Sequence, residues 1–355
     1  MRIVVNDIAA SKGGAMSVLQ NFYQEIIEKD DDNEWIFLLG DKYLENTTNI
    51  RIKTFPEIKK SWIKRLFFDL VLGKTIINEL HPDIYLSLQN TATLGVNCKQ
   101  FVFLHQVLPF QKEQSFSFFK RNQRRYAVYQ KIIGKVIKFS IKKSKANVIV
   151  QTKWLKSVLD SFFPDNIIKV VPPTVEGLTN CAERRKQDKV SNTFFYPAAN
   201  LIYKNHKLIF EAVDILIERG YRNFRVVLTI DKPDISPNNS DSYLFLGMID
   251  KKLVCHYYET SVLLFPSYIE SYGLPLKEAT QFGSTIFSSD TGVSREVLGK
   301  YSNAFFFNAF NSNELANLME MQLTNTLTLN NKNVEDIADN SGLLMSDLIL
   351  KNLDE

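Results

Sequence analysis

The stretch Phe265-Pro-Ser-Tyr-Ile-Glu-Ser-Tyr-Gly-Leu-Pro-Leu-Lys-Glu-Ala279 decides how the chain is read. Its apolar lead-in, Val262 to Phe265, has the unbroken hydrophobicity of a strand covered on both faces in a parallel sheet. A loop with Glu270, Ser271, Tyr272 and Gly273 follows. Pro275 suits a first helical position, where its missing N–H costs nothing, and Gly283 suits the helix end. Glu278 then falls about one turn into the helix. The start of such a helix presents free N–H groups and the positive end of the dipole, a place for phosphate. Two carboxylates beside it, Glu270 and Glu278, call for a different ligand group, such as hydroxyls. Phosphate next to hydroxyls suggests a nucleotide sugar.

Working outward, strands alternate with helices along the whole chain. In the second half Thr193 opens a series with strands at Phe224–Ile230, Tyr243–Leu246, Thr285–Ser288 and Ala304–Phe307. In the first half Ile3–Val5, Trp35–Leu39, Arg51–Phe55, Asp83–Leu88, Gln100–His105, Asn147–Gln151 and Ile168–Val171 read as strands. The expected class is α/β, with two doubly wound parallel-sheet (Rossmann-like) domains facing across a cleft. Residues 1–175 form the N-terminal domain and 192–335 the C-terminal one. The polar, aperiodic stretch 176–191 is the linker. Residues 336–355 are a helical tail expected to pack back on the N-terminal domain.

Composition sets outer limits. The 355 residues are 45% hydrophobic and 23% charged, the make-up of a globular protein. A net charge of +4 does not by itself imply a nucleic-acid partner. Cys98, Cys181 and Cys255 are dispersed and odd in number, against a disulfide framework. Neither they nor His81, His105, His206 and His256 have metal-ligand spacing, so no metal is expected. The N-terminus enters a strand without a signal peptide, and no run reaches the roughly 18 apolar residues of a membrane span. A cytoplasmic location is expected.

Four further features stand out. Gly13-Gly14 lies between the first strand and a helix expected over Ser17–Glu28, at the sheet edge where α/β proteins bind ligands. A tight turn would explain the pair equally well. His105 ends a strand at the same edge, against the ordinary reading of a structural histidine. Lys204 follows the first strand of the second domain, where a loop lysine is normally just solvated. Finally, Lys112–Lys145 holds eleven Lys or Arg against one acid, Glu113, interleaved with Phe116, Phe118, Phe119, Tyr126, Ile132 and Phe139. Its later apolar positions repeat at helical spacing, so a basic amphipathic helix is expected. Such a helix is either a solvated face or a peripheral contact with anionic membrane at the inner face of the plasma membrane.

The second half, from Phe194 to Glu320, resembles the retaining enzymes of glycosyltransferase family 4, which have the GT-B fold. The resemblance rests on Leu246-Gly-Met-Ile, on Phe265-Pro-Ser-Tyr-Ile-Glu-Ser-Tyr-Gly-Leu-Pro-Leu-Lys-Glu-Ala279 with its Glu270-x7-Glu278 pair, on Gly283 and on Glu296-Val-Leu. It implies a transferase moving a sugar from a nucleotide-diphosphate sugar to a glycan acceptor, with no metal or other cofactor and no nucleic-acid partner. Glu278 would hold the donor ribose and Glu270 the transferred hexosyl ring. The N–H groups of Tyr272, Gly273 and Leu274 would hold the diphosphate, with Ser271, Asn200 and Asn205 also at the donor. Lys204 matches the phosphate-binding lysine, Gly13-Gly14 the loop that closes over donor and acceptor, and His105 the contact to the transferred sugar. The N-terminal domain would bind the acceptor and the C-terminal domain the donor. The family commonly has an arginine five residues before the lysine, where this chain has Ala199, so the phosphate charge rests on Lys204 and the helix start. The Pro197-Ala198…Lys204-Asn-His206 form resembles bacterial enzymes of surface polysaccharide, capsule or O-antigen, which use lipid-linked acceptors. A nucleotide-sugar 2-epimerase of the same fold, or a non-catalytic nucleotide-sugar-binding protein, are the alternatives.

Overall fold

The computed structural model describes residues 1–11, 13–29, 31–174, 191–233, 240–328 and 343–351. The chain divides into two compact units, Met1–Pro172 with Asn340–Glu355, and Pro173–Asp339. Apart from Ser191, the expected linker 176–191 lies outside the described residues.

The first unit contains β1 (Arg2–Asp7), β2 (Glu34–Leu39), β3 (Ile50–Thr54), β4 (Ile84–Ser87), β5 (Lys99–Phe103), β6 (Asn147–Val150) and β7 (Ile168–Val170). They form one parallel sheet in the order β3-β2-β1-β4-β5-β6-β7. Ile3, Val4 and Val5 of β1 are fully buried, as expected of a strand covered on both faces. Because β1 lies between β2 and β4, the connections leaving β1 and β4 run to opposite faces. That divergence opens a crevice at the C-terminal strand edge.

The helices of this unit are α1 (Gly14–Lys29), α2 (Pro56–Lys59), α3 (Trp62–Phe67), α4 (Gly73–Asn78), α5 (Arg124–Val128), α6 (Gly134–Ser144) and α7 (Lys153–Asp160). Two of them are continued by a π-helical turn. Phe68–Leu72 joins α3 to α4, and Tyr129–Ile133 joins α5 to α6. Each turn ends at a packed glycine. A Cβ on Gly73 would stand 2.8 Å from Phe68 O and Thr93 Cγ2, and one on Gly134 would stand 2.7 Å from Pro109 Cβ.

Three expectations are corrected here. Gly14 is the first residue of α1 rather than part of the loop, and only Gly13, at φ +65°, lies before the helix. β5 stops at Phe103, so His105 sits two residues past the strand. The basic amphipathic helix begins at Arg124 and not near Lys112. Residues 112–123 fold over it instead: Phe116 is fully buried against Tyr126, with ring centroids 5.3 Å apart, and its N–H donates to Gln130 Oε1 at 3.0 Å.

The second unit contains β8 (Thr193–Tyr196), β9 (Arg225–Leu228), β10 (Tyr243–Phe245), β11 (Val262–Phe265), β12 (Ile286–Ser289) and β13 (Ala304–Phe307). The sheet is parallel, in the order β10-β9-β8-β11-β12-β13. Its helices are α8 (His206–Glu218), α9 (Lys251–Thr260), α10 (Leu274–Gln281), α11 (Gly292–Leu298) and α12 (Ser312–Leu323). Phe194, Leu228, Leu264, Phe265 and Phe287 are buried in its core. Here the order reverses beside β8, so the loops after β8 and β11 diverge at the C-terminal edge. Those loops carry Lys204 and Glu270.

The last helix, α13 (Met345–Lys351), belongs to the first unit. Met345, Leu348 and Ile349 join the core that contains Leu19, Phe22 and Ile26 of α1. Lys29 Nζ meets Asp347 Oδ1 at 2.5 Å, and Ser346 N–H donates to Glu25 Oε1 at 2.6 Å. Among the described residues no helix is long and apolar enough to cross a membrane.

Candidate functional site

In the second unit the site is assembled by the two loops that leave the switch point. The loop after β8 ends in a short 3-10 turn, Ile202–Lys204, followed by Asn205 in the left-handed region at φ +61°. Tyr203 O accepts hydrogen bonds from Tyr268 N–H at 3.1 Å and from Ser267 Oγ at 3.2 Å. Asn205 Nδ2 donates to Pro266 O and Ala309 O at 3.2 and 2.7 Å. Tyr196, buried, donates its hydroxyl to Lys204 O at 2.9 Å. The lysine is thereby held where its Nζ lies 2.5 Å from Glu270 Oε1, with 19% and 14% of the two side chains exposed. Burial first, and then the Glu270 charge, hold the Tyr196 phenol well above its ordinary pKa. His206 opens α8 with its ring 5.0 Å from that of Tyr196 and tilted by 43°, and burial first, then Lys204, pushes its imidazole down to about 4.

α10 starts where the sequence placed it, with one correction. Leu274 is its first residue and Pro275 its second. Gly273 precedes it at φ +82°, and a Cβ there would lie 3.1 Å from Phe265 Cζ and 3.3 Å from Leu276 Cδ1. Only glycine fits that backbone and that space. The N–H groups of Tyr272, Gly273 and Leu274 make no hydrogen bond among the described residues. The helix ends in a Schellman motif: Ser284 N–H bonds Ala279 O at 3.2 Å, and Gly283 N–H, at φ +71°, bonds Thr280 O at 3.1 Å.

Glu278 is half-buried on α10, and Tyr258 of α9 donates its hydroxyl to Glu278 Oε2 at 2.8 Å. Burial raises the Glu278 carboxyl, while Tyr258 and Lys251 pull it back down. Tyr258 is itself 1% exposed and packs on Phe195 and Phe282. The sequence reading missed this tyrosine, because nothing in the α9 pattern separates it from an ordinary core residue. The structure therefore joins Lys204 to Glu270 and ties Glu278 to a fixed partner. Asn200 is exposed, and both amide hydrogens of Asn205 are committed to carbonyls.

The first unit holds Gly13, Gly14 and His105. Apart from its chain neighbours, no atom of the described residues lies within 4 Å of a Cβ built on either glycine. His105 borders a cavity of about 310 Å³ at the C-terminal edge of the sheet. Its walls include Asp7 at the end of β1, Gln89 and Asn90 after β4, and Asp69 and Tyr129 from the two π turns. Asp69 accepts from Thr91 Oγ1 at 2.6 Å, Thr93 Oγ1 at 3.1 Å and Gln89 Nε2 at 3.1 Å. Burial raises the carboxyls of both Asp7 and Asp69 to about 7, against the hydrogen bonds that lower them, and pushes His105 down to about 4. Neither acid was among the candidates read from sequence. Among the described residues no group of three or more His, Cys, Asp or Glu side chains is placed to hold a metal ion.

No curated protein matches the chain. The galactosyltransferase WaaB of the lipopolysaccharide outer core, in its apo form, is similar over 100% of this chain and 98% of its own, at TM-score 0.61 and 16% identity. Sucrose-phosphate synthase from Thermosynechococcus elongatus is similar over 91% and 90%, at TM-score 0.62 and 15% identity. HepE from Anabaena, in complex with UDP-glucose, is similar over 92% and 90%, at TM-score 0.60 and 14% identity. The chain thus has the GT-B glycosyltransferase fold, and residues 182–340 match the family described as Glycosyl transferases group 1.

Proposed function

We propose that the chain is a retaining, metal-independent glycosyltransferase of family 4. It moves a sugar from a nucleotide-diphosphate sugar to a lipid-linked glycan of bacterial surface polysaccharide, capsule or O-antigen. The observation that carries this reading is the Lys204–Glu270 pair, whose glutamate lies two residues ahead of N–H groups at the start of α10 that make no hydrogen bond among the described residues. When the bond from anomeric carbon to phosphate oxygen breaks, its electrons stay on the diphosphate. A lysine and preorganised N–H donors oppose the negative charge that develops there. Glu270 then faces the opposite charge, the positive character of the hexosyl ring. Glu278, fixed by Tyr258 through one oxygen, offers the other to ribose hydroxyls. The acceptor hydroxyl attacks the anomeric carbon on the face the diphosphate leaves, and its proton passes to the departing phosphate oxygen. The UDP-glucose held by the HepE structure supports a nucleotide sugar as the donor class.

Docking at the inner face of the plasma membrane belongs to the same proposal. Phe119 is 94% exposed, and Phe118, Ile132 and Phe139 are also exposed, amid the exposed Lys120, Arg121, Arg124, Arg125, Lys135, Lys142 and Lys143. Apolar side chains ringed by cations suit an anionic bilayer surface.

Turnover decides the matter. Nucleoside diphosphate release is measured over a panel of nucleotide sugars with lipid-linked glycan acceptors. Lys204→Ala and Glu270→Ala are expected to lose transfer while melting like wild type, and wild-type turnover in both would sink the assignment.

A further inference from the structure

The helical run that starts with α3 carries an apolar face that nothing among the described residues covers. Ile63, Phe67, Val71 and Leu72 are 63, 50, 45 and 48% exposed, and Trp62 ahead of them is 40% exposed. The backbone lines them up. Ile63 and Phe67 lie one α turn apart, on the same side of the helix. The π turn Phe68–Leu72 lengthens the next step, which falls between Val71 and Leu72, and both are exposed. Phe68 and Asp69 point the other way and are buried. Apolar side chains exposed singly need no explanation, but a continuous row of this size marks a surface that meets a partner.

The charges around the row select the partner. Residues 56–78 hold Lys59, Lys60, Lys64, Arg65 and Lys74 against two acids, Glu57 and Asp69. Glu57 is already paired with Lys60 and Lys64, and Asp69 is buried among Thr91, Thr93 and Gln89. Lys60, Lys64 and Lys74 are exposed. A second copy of the chain seated here would set this cationic face against itself, and like charges brought together oppose such a contact. An anionic bilayer surface suits both features at once. Its headgroups meet the ammonium groups, while the apolar row enters the boundary with the acyl chains. Trp62 has the amphipathic ring that settles at such a boundary. The position in the fold agrees. Trp62, Arg65 and Leu66 line the same cavity as Tyr129, Ile133 and Ile137, which belong to the helical run with the exposed Ile132 and Phe139.

We propose that α3 and its π turn form a second membrane-inserting element, distinct from the basic aromatic face around Phe119, so that an anionic leaflet holds the first unit at two points. The proposal deepens the docking part of the function above and needs no turnover. Trp62 makes it testable from within, because it is the tryptophan on this element, whereas Trp35 is buried in the core and Trp154 lies on α7. The full chain is mixed with vesicles of phosphatidylcholine and phosphatidylglycerol in equal parts, with the phosphatidylcholine brominated on its acyl chains, and tryptophan quenching and co-sedimentation are read together. Wild type is expected to be quenched, and Trp62→Phe to lose the quenching while still sedimenting. Ile63→Ser and Phe67→Ser together are expected to weaken vesicle binding about a hundredfold, tenfold for each half-inserted side chain, with the melting temperature of wild type. Phe119→Ser, with vesicles raised to saturation, is expected to keep the quenching, and Lys204→Ala to behave as wild type throughout. Sedimentation with Trp62 unquenched would overturn this element and leave the face around Phe119 standing, whereas no sedimentation at all would remove both. Wild-type vesicle affinity in the Ile63→Ser, Phe67→Ser variant, or a dimer of the free chain that this variant dissociates, would equally overturn the proposal.

Discussion

Asp7 has a consequence measurable without any ligand. Its carboxyl is 2% exposed, Oδ2 has no partner among the described residues, and burial raises it from 3.8 to about 7. An acid raised in this way binds its proton more tightly folded than unfolded. Stability is therefore greatest on the acid side, falls as pH climbs from 3.8 toward 7, and levels off above. The slope is about 1.4 kcal/mol per pH unit per group, so from about pH 5 to about pH 7 Asp7 alone costs the fold roughly 2.7 kcal/mol. Asp69 slopes the same way. His105, pushed from 6.5 to about 4, slopes the opposite way, because below 6.5 only the unfolded chain readily takes its proton. Comparing Asp7→Asn with wild type removes every term the two share. The variant's melting advantage should widen by roughly 5–10 °C between those pH values, at about 2–4 °C per kcal/mol. Fluorescence isolates the right unit, since Trp35, Trp62 and Trp154, all the tryptophans of the chain, lie in the first one. Asp69→Asn is the control of opposite sign. Its carboxyl takes three side-chain donors, and an amide cannot accept on both sides, so a loss of about 1–3 kcal/mol is expected. A tryptophan-detected gap between Asp7→Asn and wild type that stays constant with pH would refute the reasoning.

Tyr258→Phe is expected to raise the donor KM by about one to two orders of magnitude while leaving kcat nearly unchanged. It removes a hydrogen bond to a carboxylate, worth about 1.5–3 kcal/mol, from the group proposed to hold the part of the donor remote from the reacting bond. A fall in kcat at constant KM would show instead that Tyr258 acts on the transfer step. Sedimentation with vesicles of neutral lipid, and of neutral lipid mixed with an anionic lipid, should show binding to the second alone. Phe119→Ser is expected to weaken that binding, and indifference to lipid charge would remove the docking claim.

Much of the second unit was legible because its signals are local. A continuous apolar run, a loop with Gly273 and a proline at the head of a helix specify a strand, a turn and an anion-ready N-terminus whatever the rest of the chain does. The proline is one place further in than expected, since Gly273 at φ +82° makes Leu274 the first helical residue. The first unit was harder, because its site is built from polar groups that look like interruptions of apolar elements. The strand expected over Ile3–Val5 ends, by pattern, before Asn6 and Asp7. In the fold β1 continues through both, since Asn6 Nδ2 finds Tyr85 Oη at 2.8 Å across to β4. The acid is thereby carried, buried, to the strand's C-terminal edge. The π turns were equally hidden: one extra residue per turn barely disturbs a period of about 3.6 over a short stretch. Their only mark is a glycine at each exit, required by the close approach of Phe68 O and Pro109. Phe116 misled for a related reason. Between basic residues it reads as exposed, yet Tyr126 covers it.

The Lys204–Glu270 pair illustrates what the fold was built to hold. Shielded ion pairs of this kind roughly break even against the cost of desolvating both charges, so stability does not account for it. Five hydrogen bonds nonetheless fix the loop that carries the lysine, one each from Tyr196, Ser267 and Tyr268 and two from Asn205. That investment makes sense if the ammonium must stand at one place when an anion arrives. Ala199 stands where the enzymes that the sequence resembles commonly carry an arginine, so in the proposed transfer Lys204 would face both Glu270 and the incoming phosphates. The N–H groups of Tyr272, Gly273 and Leu274 can take phosphate oxygens without displacing any partner among the described residues. In the proposed transfer, diphosphate charge would draw the ammonium toward itself and loosen its hold on Glu270, leaving the carboxylate available to the ring whose positive character grows as the bond breaks. On that proposal one ion pair would serve both halves of the donor, because the charge that develops on the leaving side is what frees the group needed on the other.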